Sequence, residues 1–462
     1  MDNSRNKLWI DSPVQTLEGH HIQNPIYLPF IFTILLQRPN HKMSKPEEKP
    51  QENSQPPLQS KPIVTHLLPG LTVLVILITA ALLFDWIATN QERNEVRRLA
   101  PLTSPQVEVG TVIQQAAFYQ PDLLPVYGSS EMVMTTTPYR AMNFFSTFPT
   151  GFDIIDIAKA GDSPINIAQD IASLGASLKG KKIVISFAPG MFAQPQAKQD
   201  AYKGNFSMLH ASSLIFSPYL SLTVKNEAAQ RMMEYPDTLN DNLLIQFAIY
   251  NLMQNTRVNN YIYYSLVPLG QLNNFIFRLK DHFAIIKNLW VLHGSSSKPE
   301  TRTIDWKAAI SNAEAVQKLN TKNNPYGLDN QIWSHHGYLG FEFHAPGSQD
   351  QNYLYKLSKS QEWGDLSILL QVLKEMGAKP LILSRPINGT LYTAAGISPK
   401  AQQAYYSNLK EVVGTYNFPL VDFEQYTGDQ YFSVDYASHT SPKGWVLVDQ
   451  ILDAFYHNKP LQ

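Results

Sequence analysis

The chain has 462 residues, of which 44% are hydrophobic and 11% aromatic, so it can bury a large core in one big domain or in two. Its 37 basic and 38 acidic residues give a net charge of −1, and no basic stripe with interleaved aromatic residues is present, which argues against a nucleic-acid partner. Because the sequence contains no cysteine, a thiol nucleophile, a disulfide framework and cysteine-ligated zinc are excluded.

Residues 1–66 form a polar leader that is rich in Pro, Gln, Asn, Ser, Lys and Glu. This composition predicts a solvated, unstructured tail. Met43 offers an alternative start, because a short polar leader before one hydrophobic span is the usual design of a membrane-anchored protein. On that hypothesis, residues 1–42 are not translated.

An apolar stretch follows at residues 67–87, about the length that crosses the hydrocarbon core of a bilayer, with Asp85 and Trp86 at its far edge. We expect a single transmembrane anchor over residues 67–88. A buried core helix is the competing interpretation, but the stretch lacks a polar face. A cleavable signal peptide is another alternative, although the small residues at 79–81 lie inside the apolar run. Basic residues flank both ends, so the positive-inside rule does not decide the orientation.

The remaining residues, 89–462, show the alternation of an α/β domain. Two continuous apolar runs, at 183–187 and 380–384, are typical of strands that are covered on both faces of a parallel sheet. Residues 366–376 have the apolar spacing of a helix that ends at Gly377. Residues 226–290 are predicted to be a helical insertion whose Met and aromatic stripes pack. No Walker or dinucleotide glycine fingerprint occurs, and we assign no cofactor.

The segment Tyr127-Gly128-Ser129-Ser130-Glu131 carries the strongest chemical signal. It closes an apolar run at 123–127 that predicts a short buried strand ending on a glycine, a geometry that presents a hydroxyl at a strand-to-helix turn. Asp435 and His439 lie far downstream on one short connection. A serine needs an imidazole and an orienting carboxylate to act as a nucleophile, and the chain order Ser, Asp, His fits a serine hydrolase or acyltransferase. The competing interpretation is a common Gly-Ser-Ser turn and two loop side chains that cap helices.

Several further motifs are spaced along the chain. They are Gly128-Ser129-Ser130-Glu131, Pro189 with Phe192, Asn205-Phe206-Ser207, Phe216-Ser217-Pro218, Asp365-Leu366, Gly377-Ala378-Lys379-Pro380, Arg385-Pro386-Ile387-Asn388-Gly389, and His439 with Gly444-Trp445. With these motifs, the chain from residue 71 to the end resembles the DltD family of teichoic-acid D-alanylation proteins.

The resemblance implies an SGNH-hydrolase-like parallel sheet flanked by helices, with a helical insertion and one N-terminal transmembrane helix. It implies that Ser130 is the nucleophile, His439 the general base and Asp435 its orienting acid. Ser129 occupies the position where hydrolase relatives carry an aspartate. Those relatives usually separate Asp and His by two residues, whereas Tyr436, Ala437 and Ser438 intervene here, which makes Asp435 the least secure member of the triad.

The same resemblance implies an oxyanion hole. The backbone N–H groups of Ser130 and Gly161 are its first two expected donors, and such preorganised donors contribute several kcal/mol to acyl transfer. The third donor stays open, because relatives tend to carry a polar side chain where this chain has Gly190 and Met191. Either a backbone amide at Gly190 serves, or Asn205 or Asn388 reaches in. Asn388 has the competing role of holding a turn with Gly389.

The function implied by the resemblance is the last stage of D-alanine esterification of lipoteichoic acid on a Gram-positive cell. The implied location is the cell membrane, with a single span and an extracellular catalytic domain. Ser130 would accept a D-alanyl group from a membrane-bound O-acyltransferase, itself supplied indirectly by a D-alanyl carrier protein, and pass it to a glycerol-phosphate hydroxyl. A surface esterase or thioesterase that removes acyl groups, and a non-catalytic docking protein for the D-alanylation machinery, remain alternatives.

Three histidines, His335, His336 and His344, do not predict a metal site. They lie on a glycine-containing stretch without an accompanying carboxylate at helical metal-ligand spacing. We therefore assign no metal.

Overall fold

The computed structural model describes residues 64–99, 110–135, 137–194, 199–289, 301–336 and 342–461. His66–Gln462 forms one compact unit. The predicted unstructured leader and the alternative start at Met43 fall almost entirely outside the described residues and stay predictions.

A five-stranded parallel sheet forms the centre of the fold, as the apolar runs predict. The strand order is β2-β1-β3-β4-β5, and every neighbouring pair is parallel. The five strands are β1 (Leu123–Gly128), β2 (Asp153–Ala158), β3 (Lys182–Phe187), β4 (Lys379–Ser384) and β5 (Leu420–Val421).

Both faces of the sheet are buried, which explains why its strands are continuous apolar runs rather than alternating ones. In β3, Ile183 and Ile185 belong to one hydrophobic core and Val184 to the other. Successive strand side chains point to opposite faces, so each strand serves both cores. The two cores together hold the strands between two layers of helices.

Eighteen α-helices are present within the described residues, and most of them pack around the sheet. They are α1 (Val64–Leu99), α2 (Thr111–Tyr119), α3 (Ser130–Val133), α4 (Ala141–Thr147), α5 (Pro164–Ser173), α6 (Pro189–Phe192), α7 (Gln199–Asn205), α8 (Met208–Ile215), α9 (Leu222–Met232), α10 (Leu243–Gln254), α11 (Arg257–Leu289), α12 (Trp306–Asn320), α13 (Asn330–His336), α14 (Asp350–Lys359), α15 (Glu362–Glu375), α16 (Gly389–Ala394), α17 (Pro399–Gly414) and α18 (Pro442–Tyr456).

The N-terminal helix α1 contains the predicted apolar stretch. Residues Leu68–Arg98 include a segment that is apolar and long enough to cross a membrane. The helix does not stop at the predicted boundary near Ile87. It continues to Leu99, and Ala88, Glu92 and Val96 on this continuation are fully buried. The apolar stretch is therefore joined to the folded domain by one uninterrupted helix.

Helix α11 contacts α1 where the apolar stretch ends. His282 places Nδ1 2.6 Å from Glu92 Oε1 and Nε2 3.1 Å from Asp85 Oδ1, and Arg278 pairs with the same Asp85 carboxylate. Helices α9, α10 and α11 occupy the region where the sequence predicts a helical insertion. This region therefore contacts both the sheet-bearing domain and the apolar helix.

Candidate active site

The carboxyl ends of the three adjacent strands β2, β1 and β3 meet at one edge of the sheet, which is where ligands bind in open α/β sheets. Ser130 follows β1, Gly161 follows β2 and Gly190 follows β3. All three residues line one cleft of about 450 Å³. The structure thus brings together the predicted nucleophile and the two glycines predicted to donate backbone N–H groups.

A sharp strand-to-helix turn positions Ser130. The turn requires glycine at 128, since a Cβ there would lie 2.6 Å from Met132 Cγ and 2.7 Å from Glu131 Oε1. Ser130 is the first residue of the short helix α3 and is half-buried at the cleft. Behind it, the backbone N–H of Ser129 donates to Glu131 Oε1 at 3.0 Å. The fully buried Glu131 carboxylate therefore fixes the backbone just before Ser130.

Asp435 and His439 form a close pair despite the three residues between them. Asp435 Oδ2 lies 2.5 Å from His439 Nδ1. Asp435 Oδ1 accepts the backbone N–H groups of Ala437 at 3.0 Å and His439 at 3.2 Å. Ser438 takes a left-handed conformation with φ of 64°, and its Oγ donates to Pro386 O at 2.9 Å. This turn accommodates the third residue between Asp435 and His439 and keeps the imidazole within hydrogen-bond distance of the carboxylate.

The environment of His439 suits a general base. Burial lowers its pKa, but the hydrogen bond and charge of Asp435, together with the charge of Glu131, outweigh burial, so the pKa of His439 is raised above its ordinary 6.5. The second ring nitrogen, Nε2, is buried and has no hydrogen-bond partner among the described residues. Catalytic hydrogen bonds are often long or unformed in a substrate-free enzyme, so a missing bond to Ser130 does not exclude the pair from the chemistry.

The glycine after β2 is held in a conformation that favours glycine. Gly161 has φ of +79°. Asn205 donates its side-chain N–H to Ala160 O at 3.1 Å, and Lys159 donates to Asn205 O at 3.3 Å. The predicted alternative role of Asn205 as an oxyanion donor is thereby weakened, because its amide already braces the loop that carries Gly161.

The third oxyanion donor stays a prediction. Gly190 lies in the first turn of α6 and lines the cleft, so its backbone is at the expected place. Asn388 instead caps α16, with Oδ1 accepting the N–H of Leu391 at 3.1 Å. This geometry favours Gly190 over Asn388.

A buried arginine lies behind the turn that carries Ser130, and the sequence analysis names it only as part of a family motif, without a role. Arg385 is fully buried, and its Nε donates to Thr440 Oγ1 at 2.7 Å. Thr440 Oγ1 in turn donates to Glu131 O at 3.4 Å. Burial lowers the pKa of Arg385 to about 10, against the opposing charges of Glu131, Asp449 and Asp156. Arg385 and Thr440 therefore tie the loop that carries His439 to the turn that carries Ser130.

The cleft also contains an acidic residue that the sequence analysis did not single out. Glu362, the first residue of α15, lines the cleft and is only 3% exposed. Burial is the main cause that raises the pKa of this carboxyl, and the charge of Asp365 raises it further, against Arg231. The only signal for Glu362 in the sequence is its place three residues before the Asp365 motif.

The described residues contain no group of three or more His, Asp or Glu side chains that could hold a metal ion. His344, one of the three histidines set aside above, lies 3.5 Å from Glu342.

Comparison with known proteins agrees with the motifs. The family model described as DltD protein matches residues 100–457. Protein DltD of Bacillus subtilis (strain 168) is 26% identical over 381 residues, which cover 80% of this chain and 92% of that protein. Protein DltD of Staphylococcus aureus (strain NCTC 8325 / PS 47) is 25% identical over 405 residues, which cover 87% of this chain and 98% of that protein. The chain therefore belongs to the DltD family, and this membership supports a role in the D-alanylation of lipoteichoic acid.

Proposed function

We propose that this protein transfers D-alanine to lipoteichoic acid through an ester on Ser130. The observation that carries the proposal is the Asp435–His439 pair, which lies beside a strand-to-helix turn that presents Ser130 in a cleft. A serine hydroxyl activated by an oriented imidazole is the machinery of acyl transfer on several unrelated folds. Family membership supports the choice of D-alanyl as the acyl group and lipoteichoic acid as the acceptor.

The reaction has two balanced halves. In the first, Ser130 Oγ attacks the D-alanyl carbonyl, its proton passes to His439 Nε2, and the leaving group of the donor takes that proton. In the second, a glycerol-phosphate hydroxyl gives its proton to His439 Nε2 and attacks the acyl-serine, and Ser130 Oγ leaves with the proton. The backbone N–H groups of Ser130, Gly161 and Gly190 would stabilise the oxyanion in both halves.

The proposed location is the outer face of the cytoplasmic membrane, with a membrane-bound O-acyltransferase as the acyl donor and the D-alanyl carrier protein acting indirectly. Among the described residues, one apolar helix is long enough to span a membrane, which supports a membrane anchor. Family membership supports the outer face and the partners. Protease added to intact protoplasts should digest residues after Ile87. Digestion of the leader with protection of the cleft would place the domain on the inside.

Trapping the acyl-serine tests the chemistry directly. Membranes that contain the full-length protein and its pathway partners are supplied with isotope-labelled D-alanine and quenched in acid, and the peptide that contains Ser130 is weighed by mass spectrometry. We expect a D-alanyl adduct on Ser130 that is lost in Ser130→Ala and kept in Ser129→Ala. An adduct that persists in Ser130→Ala would assign the nucleophile to another residue. D-alanylation that is unchanged in Ser130→Ala cells but abolished by deletion of the protein would favour a docking role.

Product analysis separates the transferase from the esterase. Both use the same acyl-serine, and they differ only in whether a glycerol-phosphate hydroxyl or water resolves it. With purified protein and D-alanylated lipoteichoic acid, net release of free D-alanine would assign the esterase activity instead.

A further inference from the structure

The charge of the cleft wall is one-sided. Three carboxylate side chains, Glu131, Asp162 and Glu362, line the cleft that contains Ser130. Among the described residues that line the wall there is no lysine or arginine, and the proposed base, His439, lies beside the turn that carries Ser130. A cleft lined by one sign of charge attracts the opposite sign. The wall therefore opposes a phosphate and suits a cationic group, which would also favour the ionised form of Glu362 against the burial that raises its pKa.

Two of these carboxylates, Glu131 and Glu362, each have a buried oxygen without a hydrogen-bond partner among the described residues. Glu131 holds the turn before Ser130 through its other oxygen, so Glu362 is the one that is available to a substrate. Its Oε2 is buried and has no hydrogen-bond partner among the described residues. The guanidinium of Arg231 lies near enough for its charge to act on Glu362, but it makes no hydrogen bond to that carboxylate. Its Nε donates to Asp365 at 2.8 and 3.0 Å and its Nη1 to Glu234 at 2.6 Å, while its Nη2 has no partner among the described residues. Glu131, by comparison, accepts the N–H of Ser129. A buried carboxylate oxygen without a donor is costly, so its presence in a cleft calls for an explanation.

We infer that Glu362 binds the α-ammonium group of the D-alanyl moiety while its carbonyl carbon is attached to Ser130. This inference rests on the proposed function and names the part of the site that selects an aminoacyl group over a simple acyl group. The ammonium supplies the N–H donors that Glu362 Oε2 lacks. A site built to bond a polar substrate group discriminates strongly against an analogue without that group, because its own buried polar atom is then left unpaired.

An acidic cleft wall would also act differently on the two substrates, the D-alanyl group and the lipoteichoic acid acceptor. The acyl group is cationic, whereas the acceptor polymer is anionic at each phosphate. The acidic wall retains the cationic acyl group and repels the phosphates of the acceptor, so only the free hydroxyl of the acceptor unit needs to approach Ser130. Asp162 adds to this potential, although it already lies near Lys159.

Two esters that differ only in the amino group provide the test. The full-length protein in detergent is given the p-nitrophenyl ester of D-alanine or p-nitrophenyl propionate, and kcat/KM for each is corrected for the ester's intrinsic reactivity. We expect wild type to prefer the D-alanyl ester. Glu362→Gln should lower the D-alanyl to propionyl ratio between about 10-fold and 100-fold, the range for one hydrogen bond to a charged group. Glu411→Gln, an exposed glutamate on α17, is the matched control and should leave the ratio unchanged.

The other possible results test either the role of Glu362 or the proposed acyl-serine function. An equal loss of kcat/KM for both esters in Glu362→Gln would assign Glu362 a purely structural role. An unchanged D-alanyl to propionyl ratio without such a loss would mean that another group binds the ammonium. Both results overturn the inference. If Glu362→Gln does not fold, Glu362→Asp takes its place. This variant retains the carboxylate and should keep most of the preference for the D-alanyl ester. A folded Glu362→Asp variant without that preference would count against the inference. If wild type reacts with neither ester, the proposed acyl-serine function fails, and the inference falls with it. A propionyl reaction without D-alanyl preference refutes only the role of Glu362.

Discussion

Replacement of Asp435 by asparagine perturbs the orientation of His439 without removing the loop's own hydrogen bonds. The carboxylate uses one oxygen for His439 Nδ1 and the other for the backbone N–H groups of Ala437 and His439. An asparagine has a single acceptor oxygen, and the two backbone donors will keep it. Its amide N–H then faces Nδ1, and the ring must accept there and carry its proton on Nε2. In that tautomer Nε2 cannot take the proton of Ser130.

The expected loss is about 10⁴-fold in the acylation rate, the size seen when the orienting carboxylate of a serine-protease triad becomes an amide. It corresponds to about 5.4 kcal/mol of transition-state stabilisation, at 1.36 kcal/mol for each factor of ten. The assay is the rate constant for modification of Ser130 by a fluorophosphonate, followed by mass spectrometry of the labelled peptide.

The matched control is Asp429→Asn, another loop aspartate, whose carboxylate accepts the N–H of Tyr431 at 2.9 Å and pairs with Lys443. This variant should label within about threefold of wild type, as expected for a change that does not touch the nucleophile or its base. A folded Asp435→Asn variant that labels within tenfold of wild type would refute the assignment of Asp435. Labelling of Ser129 that survives Ser130→Ala would refute the nucleophile itself.

Three further predictions concern the base, the turn and the core. The labelling rate should rise as the pH passes a His439 pKa above 6.5, because only the neutral imidazole acts as a base. In Asp435→Asn the same rise in rate should occur at lower pH. The main cause that raises the pKa of His439 is then gone, whereas the burial that lowers it remains. Gly128→Ala should abolish labelling while most of the secondary structure measured by circular dichroism stays, because the new Cβ would collide with the side chain of Glu131. Trp445→Ala should lower the free energy of unfolding in a denaturant titration by about 3–5 kcal/mol, since this fully buried side chain leaves a cavity, and Trp445→Phe should cost less.

The parts of the fold that could be predicted are those whose residues repeat a simple pattern. The apolar runs at 123–127, 183–187 and 380–384 predict β1, β3 and β4, because strands covered on both faces need apolar residues at every position. Helix α15 ends before Gly377, which has φ of +71°, as its glycine predicts. Strand β5 has only two half-buried residues, too few to show such a pattern.

The candidate site was less predictable, since long-range contacts define it. Ser130, Gly161 and His439 stand next to strand or helix boundaries that the chain marks with glycine or proline. The turn that unites Asp435 with His439 depends on a left-handed serine at 438, a conformation that serine does not signal. The unmet hydrogen bond of Glu362 exists only because α15 packs beside the cleft, so no local pattern could reveal it.

The unbroken helix α1 limits the positions that the cleft can take relative to the apolar segment. A flexible linker of about ten residues would let its two ends lie roughly 15–20 Å apart in changing directions. Here the apolar segment instead continues as a helix whose Ala88, Glu92 and Val96 are buried in the domain, and His282 and Arg278 clamp its exit point. The cleft consequently stays at one height and one tilt relative to the apolar segment. If the proposed function holds, the domain cannot swing out along a long polymer, so successive acceptor units must diffuse to a stationary cleft.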